Sequence, residues 1–342
     1  MRSSVNTLDN TRVLVTGASG YIGGELIEPL IAAGADVRVF ARQPDKLRSK
    51  PWARSVEIVQ GDAADPADVD RALESVDVAY YLLHSMDGDG DFAERDREMA
   101  RAFADSAERA GVRRIVYLGG MHPEGELSEH LGSRAEVGQI FLDAPVPAIV
   151  LQAAVVIGTG SASFQMLRYL TLRLPAMVAP SWLHNRLQPI AIDDIIDYLV
   201  DAASLPGEIN RTFDAGGPEV LTYAELIQRY AAVAGRNRRL VITAPVLTPR
   251  LSSLWVGLVT PVDPGVAKPL IGSIVHEVVA SEDDLRELAP SGRQLSSVDE
   301  ALAAAEAGAN PESAVRSAAV VAASFAAAGI SLAAAAAVRR GH

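Results

Sequence analysis

Cysteine is absent from all 342 residues. Its absence removes disulfides, thiolate catalysis and cysteine-ligated metal, and it suits a reducing compartment. Positive charge is scarce too. The net charge is −12 and no basic run is visible, so the phosphate-neutralising face of a nucleic-acid binder is missing. Residues 1–10 lack the apolar stretch of a secretory signal, and the expected location is cytoplasmic. No histidines and carboxylates fall at His-x-x-x-His or His-Glu-x-x-His spacing, so no catalytic metal is expected. The run Asp87-Gly-Asp-Gly-Asp91 looks like a calcium loop but lacks the closing glutamate, and reads as a solvated loop. With 49% hydrophobic and 22% charged residues, the chain has the composition of a globular protein with a large core. Its length allows one large domain, or a core with a smaller second lobe.

The most informative stretch is Val13-Leu-Val-Thr-Gly17-Ala-Ser19-Gly20-Tyr21-Ile22-Gly23-Gly24. An apolar run ends in a glycine-punctuated turn, and a helical pattern from Glu25 to Ala33 follows. This is the strand–turn–helix context a dinucleotide-binding motif requires. Gly17 allows the tight turn, Gly20 lets the backbone approach a pyrophosphate, and Gly23 lets helix and strand meet closely. The helix N-terminus offers free N–H groups and a positive dipole end to phosphate. Ser19, Tyr21 and Ile22 complete the expected cofactor turn.

Short apolar runs then alternate with helical patterns. Strands are expected at Asp36–Ala41, Val56–Gln60, Val76–Leu83, Ile115–Leu118 and Ala148–Leu151, with a charged helix from about Phe92 to Ala110. The expected fold is α/β: a doubly wound parallel Rossmann sheet, a smaller C-terminal cap lobe and an Ala-rich C-terminal helix. Residues 1–158, rejoined by 188–216, form the expected NAD(P)-binding domain. Residues 159–187 and 217–305 form the expected cap, with 306–342 as the tail.

The end of the second strand bears on the cofactor. Folds that prefer NAD place Asp or Glu there for the ribose 2′-hydroxyl, whereas this chain has Arg42, with Lys46 following. A guanidinium suits a 2′-phosphate, so NADP(H) is expected over NAD(H). The plainer alternative is a solvated strand-end arginine. Asp62, after the third strand, is placed to touch the adenine or simply to shape a Gly-Asp turn. Leu83 and His84, after the fourth strand, and Ser85 beyond them lie where the middle or nicotinamide end of the cofactor passes. Alternatively, His84 is a loop histidine satisfied by backbone. His122 is a weaker candidate of the same kind.

The segments Thr16–Gly23, Tyr81–Met86, Ser128–Val137, Gln188–Asp194 and Phe213–Tyr223 resemble the atypical, extended short-chain dehydrogenase/reductases, close to the NmrA-like and complex I Rossmann-accessory-subunit group. The resemblance spans about 11–225 and continues more weakly to about 302. It implies the fold, an NAD(P) cofactor and, beside Ala154 in Ala153–Gly160, a passage next to the nicotinamide. Typical members use Ser, Tyr and Lys. Here the serine position reads Gly119-Gly120-Met121, and the Tyr-x-x-x-Lys pair falls on His130 and Arg134. Arg134 can hold a ribose but cannot shuttle protons. His130 either replaces the phenol as a general acid titrating near neutrality or only caps and packs its helix. The expected function is an NADP(H)-dependent oxidoreductase acting on a small or lipophilic carbonyl, enone or quinone, with His130, Arg134 and His84 as catalytic candidates. One alternative is a non-catalytic NADP(H)-binding redox sensor or assembly factor with a protein partner. A weaker one is a sugar-nucleotide epimerase or dehydratase.

Three further features stand apart. Phe164, Met166, Leu167, Leu170 and Leu174 share one face of a helix at 163–173, with Met177, Trp182 and Leu183 expected near the substrate. Residues 244–275 are unusually apolar, which suits a lipophilic substrate, a partner, a membrane surface or a proline-broken cap core. The charge-free stretch 318–338 is long enough to span a membrane, but its alanines supply little insertion energy. It reads as a tail anchor, a surface-lying helix or a helix docked on protein.

Overall fold

Runs of Val, Ile and Leu buried on both faces build the central sheet of the computed structural model, which describes residues 8–84, 92–122, 128–243, 275–289 and 292–309. Strand and helix alternate through β1 (Arg12–Thr16), α1 (Tyr21–Ala32), β2 (Asp36–Ala41), β3 (Glu57–Gln60), α2 (Pro66–Leu73), β4 (Val78–Tyr81), α3 (Phe92–Ala110), β5 (Arg114–Gly120), α4 (Glu129–Asp143) and β6 (Ala148–Ala153). The chain continues with β7 (Val156–Ile157), α5 (Ala162–Arg173), β8 (Ala176–Ala179), β9 (Arg186–Leu187), β10 (Ile190–Ala191), α6 (Ile192–Ser204), β11 (Arg211–Asp214) and β12 (Leu221–Thr222). It ends with α7 (Tyr223–Val233), β13 (Leu240–Thr243), α8 (Asp284–Leu288) and α9 (Val298–Gly308).

Seven strands pair in parallel in the order β11-β6-β5-β4-β1-β2-β3. From β1 the chain moves outward through β2 and β3, then returns to β4 on the other side. The crevice at the carboxyl ends of β1 and β4 is therefore the switch point where such sheets bind ligands. Thr16 fixes that edge, because its hydroxyl donates to Tyr80 O at 2.9 Å and accepts from Leu82 N at 3.0 Å. The β4 strand is accordingly shorter than the expected Val76–Leu83.

Period-two alternation assigns the faces. Val13 and Val15 join one buried cluster with Leu26 and Ile27 of α1 and Leu199 of α6, whereas Leu14 joins another under α2, α3 and α4. The second face carries an aromatic knot in which Tyr81 meets Phe103 and Phe141, with ring centroids 5.0 Å apart in each pair. Each such side chain contributes about 1.5–3 kcal/mol by burial.

A third cluster joins α5, α7 and α9. The apolar stripe of α5 is its centre: Phe164, Met166, Leu167 and Leu170 are buried there, as are Met177 and Leu183. These last two belong to the core. On α5, Arg168 is 1% exposed, its Nε 2.9 Å from Glu306, which also accepts from Tyr230 Oη at 2.6 Å. A buried guanidinium needs such partners.

Among the described residues, no helix is long and apolar enough to cross a membrane. The 318–338 stretch, most of 244–275, Ser85 and the Asp87–Asp91 run lie outside the described residues.

Candidate functional site

The glycine turn has the shape a close-approaching ligand needs. Gly17 adopts φ +73°, and a Cβ there would stand 2.4 Å from Leu82 O. A Cβ on Gly23 would stand 2.4 Å from Gly17 O, so the helix begins directly on the turn. Helix α1 starts at Tyr21, earlier than the expected Glu25, with Gly20 as its N-cap. No side chain caps it and no acidic residue sits in its first turn, so the N-terminal dipole faces outward unneutralised.

A cleft of about 1570 Å³, its open mouth included, runs along the carboxyl edge. Gly17, Ser19, Arg42, Lys46, Asp62, Leu83 and His84 line it, so the sheet gathers these sequence-predicted residues at one site. Arg95 lines it as well. Arg42, Lys46 and Arg95 are exposed, and none forms an ion pair among the described residues. A protein of net charge −12 thus gathers three cations around one cleft with no ion pair among the described residues. Asp62 lines the cleft and also shapes its turn, since its Oδ1 accepts from Ala64 N at 3.0 Å.

Tyr21 goes elsewhere. Its ring wedges beneath Gly158 and Gly160, where a Cβ would come within 2.2 Å and 2.5 Å of it. Burial pushes the phenol up to about 12, opposed by a hydrogen bond with the Gly160 backbone. The side chain therefore clamps the segment after β7. Ile22 is half-buried and packs against the core beneath the turn.

Beyond β5 and β6 lies a second recess of about 510 Å³, its open mouth included, bordered by Gly120, Leu131, Arg134, Ala154, Met166 and Tyr223. At Gly120, within the serine position, a Cβ would stand 2.8 Å from Leu131 Cδ2, so a side chain there would have to displace that methyl group. Tyr117 Oη donates to Arg134 O at 3.3 Å, holding α4 against β5. The Arg134 Nε is buried without a hydrogen-bond partner.

His84, His130 and Arg134 are drawn together. Desolvation, then the Arg134 charge, lowers the His130 imidazole to about 4. His84 is open to the cleft yet ringed by protein: desolvation, then Arg134 and His130, lowers it to about 3. The expectation that His130 titrates near neutrality is thus corrected. Burial, reinforced by the neighbouring cation, keeps the ring neutral, able to donate or accept a hydrogen bond but not to carry a proton as imidazolium at pH 7. Since His84 lines the cleft and Arg134 the recess, this cluster spans their junction. His122 lies apart, its Nδ1 2.9 Å from Gln152 Nε2. Among the described residues, no cluster of histidine and carboxylate could hold a metal ion.

Residues 17–155 match the NAD(P)H-binding family. A (4-alkanoyl-5-oxo-2,5-dihydrofuran-3-yl)methyl phosphate reductase from Streptomyces griseus is 31% identical over 236 residues, 66% of this chain and 75% of that protein. The chain belongs to the NAD(P)H-binding reductase family of that protein. Its fold matches an NADP(H)-bound triphenylmethane reductase from Citrobacter sp. at TM-score 0.67 and 19% identity, covering 86% of this chain and 99% of the other. It also matches an NADPH-bound quinone oxidoreductase from Escherichia coli at TM-score 0.67 and 18% identity, covering 85% and 98%. At such identities the two structures speak for the fold alone. Membership of this reductase family gives the chain an NAD(P)H-binding Rossmann domain, with a site for a nucleotide and a small molecule.

The residues fit that cofactor. At Gly17 and Gly23 there is room only for glycine, an uncapped helix points its N–H groups outward, and cations line the cleft. Arg95 escaped the sequence because it lies in the mixed-charge run Glu94-Arg95-Asp96-Arg97 of α3, where only the packing shows which residue turns toward the cleft.

Proposed function

We propose that the protein is an NADPH-dependent reductase of small or lipophilic carbonyl compounds, enones or quinones. The observation that carries this reading is the trio Arg42, Lys46 and Arg95, which line the cleft that the glycine turn opens and form no ion pair among the described residues. Arg42 and Lys46 would hold the 2′-phosphate, which gives NADPH its preference over NADH. Gly17, Ser19, Gly20 and the α1 N-terminus would hold the pyrophosphate, with Gly23 allowing the approach of helix to turn. Asp62 would face the adenine, and Leu83, His84, Arg134 and Ala154 would line the path to the nicotinamide. The bound cofactor supplies hydride. This chain supplies orientation: Arg134 holds the ribose, and neutral His130 and His84 provide hydrogen bonds at the junction of cleft and recess. Residues 159–187 and 217–305 serve as the substrate lobe. A cytoplasmic location belongs to the same proposal, and cell fractionation tests it.

A second reading rests on the degraded catalytic set, in which Gly119-Gly120-Met121, His130 and Arg134 replace Ser, Tyr and Lys. It makes the chain an NADPH-binding sensor or assembly factor for a protein partner. An epimerase or dehydratase is disfavoured because it needs the absent tyrosine. NADPH consumption by the purified protein against quinones, enones and aldehydes decides between the first two. Turnover with one class supports the reductase; NADPH binding without turnover of any class supports the sensor.

A further inference from the structure

The recess beyond β5 and β6 contains two buried donors that find no hydrogen-bond partner among the described residues. Tyr223, the first residue of α7, is 3% exposed and borders the recess, and its hydroxyl has no hydrogen-bond partner. Arg134 borders the same recess, with its Nε likewise unpartnered. A buried hydroxyl left unpaired costs stability, so a native fold that retains one calls for an explanation. Apart from Ser163, the rest of the wall is apolar, with Leu131, Val155, Met166 and Val278. Sequence places Tyr223 firmly. Thr222 and Glu225 form a capping box at the start of α7, and Trp182 meets the Tyr223 ring edge-on with centroids 6.5 Å apart. The ring is thus fixed from two sides while its hydroxyl has nothing to bind.

We propose that Tyr223 is the hydrogen-bond donor for the acceptor oxygen of an apolar one- or two-ring carbonyl compound seated in this recess, with Arg134 Nε as its neighbour donor. The proposal rests on the reductase reading and assigns its substrate site. Burial raises the phenol well above its ordinary range, so it stays protonated and acts as a donor. In the reaction, the carbonyl carbon gains hydride with its electron pair, and the C=O π pair moves to oxygen. That oxygen is held by the Tyr223 hydroxyl until it takes a proton from water, and the nucleotide leaves oxidised. Donors placed where charge develops, in a site with little water, are the arrangement that lowers such a barrier. Tyr223 thereby takes the place of the phenol missing at His130, approaching from the opposite lobe.

The test uses the full chain saturated with NADP⁺ and titrated calorimetrically with 2-methyl-1,4-naphthoquinone. Tyr223→Phe keeps the ring and removes the hydroxyl. We expect about tenfold weaker probe binding, unchanged NADP⁺ binding, and a melting temperature equal to or above that of the unmodified protein, because no protein partner is lost. Equal probe affinity in the two proteins, or a lower melting temperature in Tyr223→Phe, overturns the assignment. Ser163→Phe, which fills the recess from α5, must abolish probe binding; retained binding also overturns it. NADPH oxidation in the same samples separates the two ideas. Oxidation with equal probe affinities ends this inference and leaves the reductase standing. Weakened probe binding in Tyr223→Phe without oxidation by the unmodified protein upholds the site and ends the reductase reading.

Discussion

Arg42→Ala tests the cofactor argument most directly. The side chain is exposed and forms no ion pair among the described residues, so its loss should leave the fold intact, with stability within about 0.5 kcal/mol. Against a 2′-phosphate the same side chain makes a charge-assisted contact worth about 1.5–3 kcal/mol. An ordinary exposed ion pair is worth about 0.2–1 kcal/mol, so the size of the effect separates a binding contact from background charge. The expected result is NADPH affinity reduced roughly 10- to 100-fold and NADH affinity changed by less than about twofold. Lys46→Ala should give a smaller loss with the same selectivity, because an ammonium is a point charge rather than a fork. Calorimetric titration of both nucleotides at about 0.1 M salt provides the measurement, and repeating it at about 1 M salt should narrow the NADPH–NADH gap. If Arg42→Ala weakens both nucleotides equally, or neither, the assignment of Arg42 to the 2′-phosphate is wrong.

Three other outcomes can be checked by equilibrium unfolding. Gly23→Ala drives a Cβ to 2.4 Å from Gly17 O and should cost about 1–3 kcal/mol, whereas a Cβ on Gly132 meets nothing within 4 Å, and Gly132→Ala should gain about 0.5–1 kcal/mol. Glu306→Ala strands Arg168 in the core and should cost about 3 kcal/mol, read as a lower urea midpoint; an unchanged midpoint would show the pair contributes nothing. His130 has a folded pKa of about 4, below its ordinary 6.5, so as pH falls the unfolded chain takes the proton first. Its contribution is therefore complete above pH 6.5 and lost between pH 6.5 and about 4, and His130→Asn should flatten the fall in urea midpoint across that window.

Most of the sheet was legible because both of its signals are local. Asp36–Ala41 and Phe92–Ala110 have the bounds their patterns indicate, and β1 ends at the glycine turn as expected. Boundaries moved where a distant group intervened. Helix α1 begins at Tyr21 because the uncapped Gly20 turn feeds directly into it, and β4 stops at Tyr81, where Thr16 takes over the next amide. Arg168 reads as the polar side of an amphipathic helix, yet α9, far along the chain, brings Glu306 to it and buries it.

The site divides along the same line. Gly17, Arg42, Asp62 and His84 could be named from sequence because each follows a strand of a doubly wound sheet, and all strand ends of such a sheet open on one edge. Arg95 and Tyr223 could not, since what distinguishes them is the lack of an ion-pair or hydrogen-bond partner among the described residues. Arg97, two residues from Arg95, pairs with Glu94 and Glu136, leaving Arg95 to the cleft. Tyr223 reads as an ordinary helix start after a threonine cap, and only its burial shows that the hydroxyl has nothing to bind. The net charge of −12 misleads in the same way. A polyphosphate approaching this protein is repelled by the whole and attracted by one edge, where three cations form no ion pair among the described residues. Local pairing, rather than net charge, therefore decides where an anion binds, and this cleft is the place the chain leaves for it.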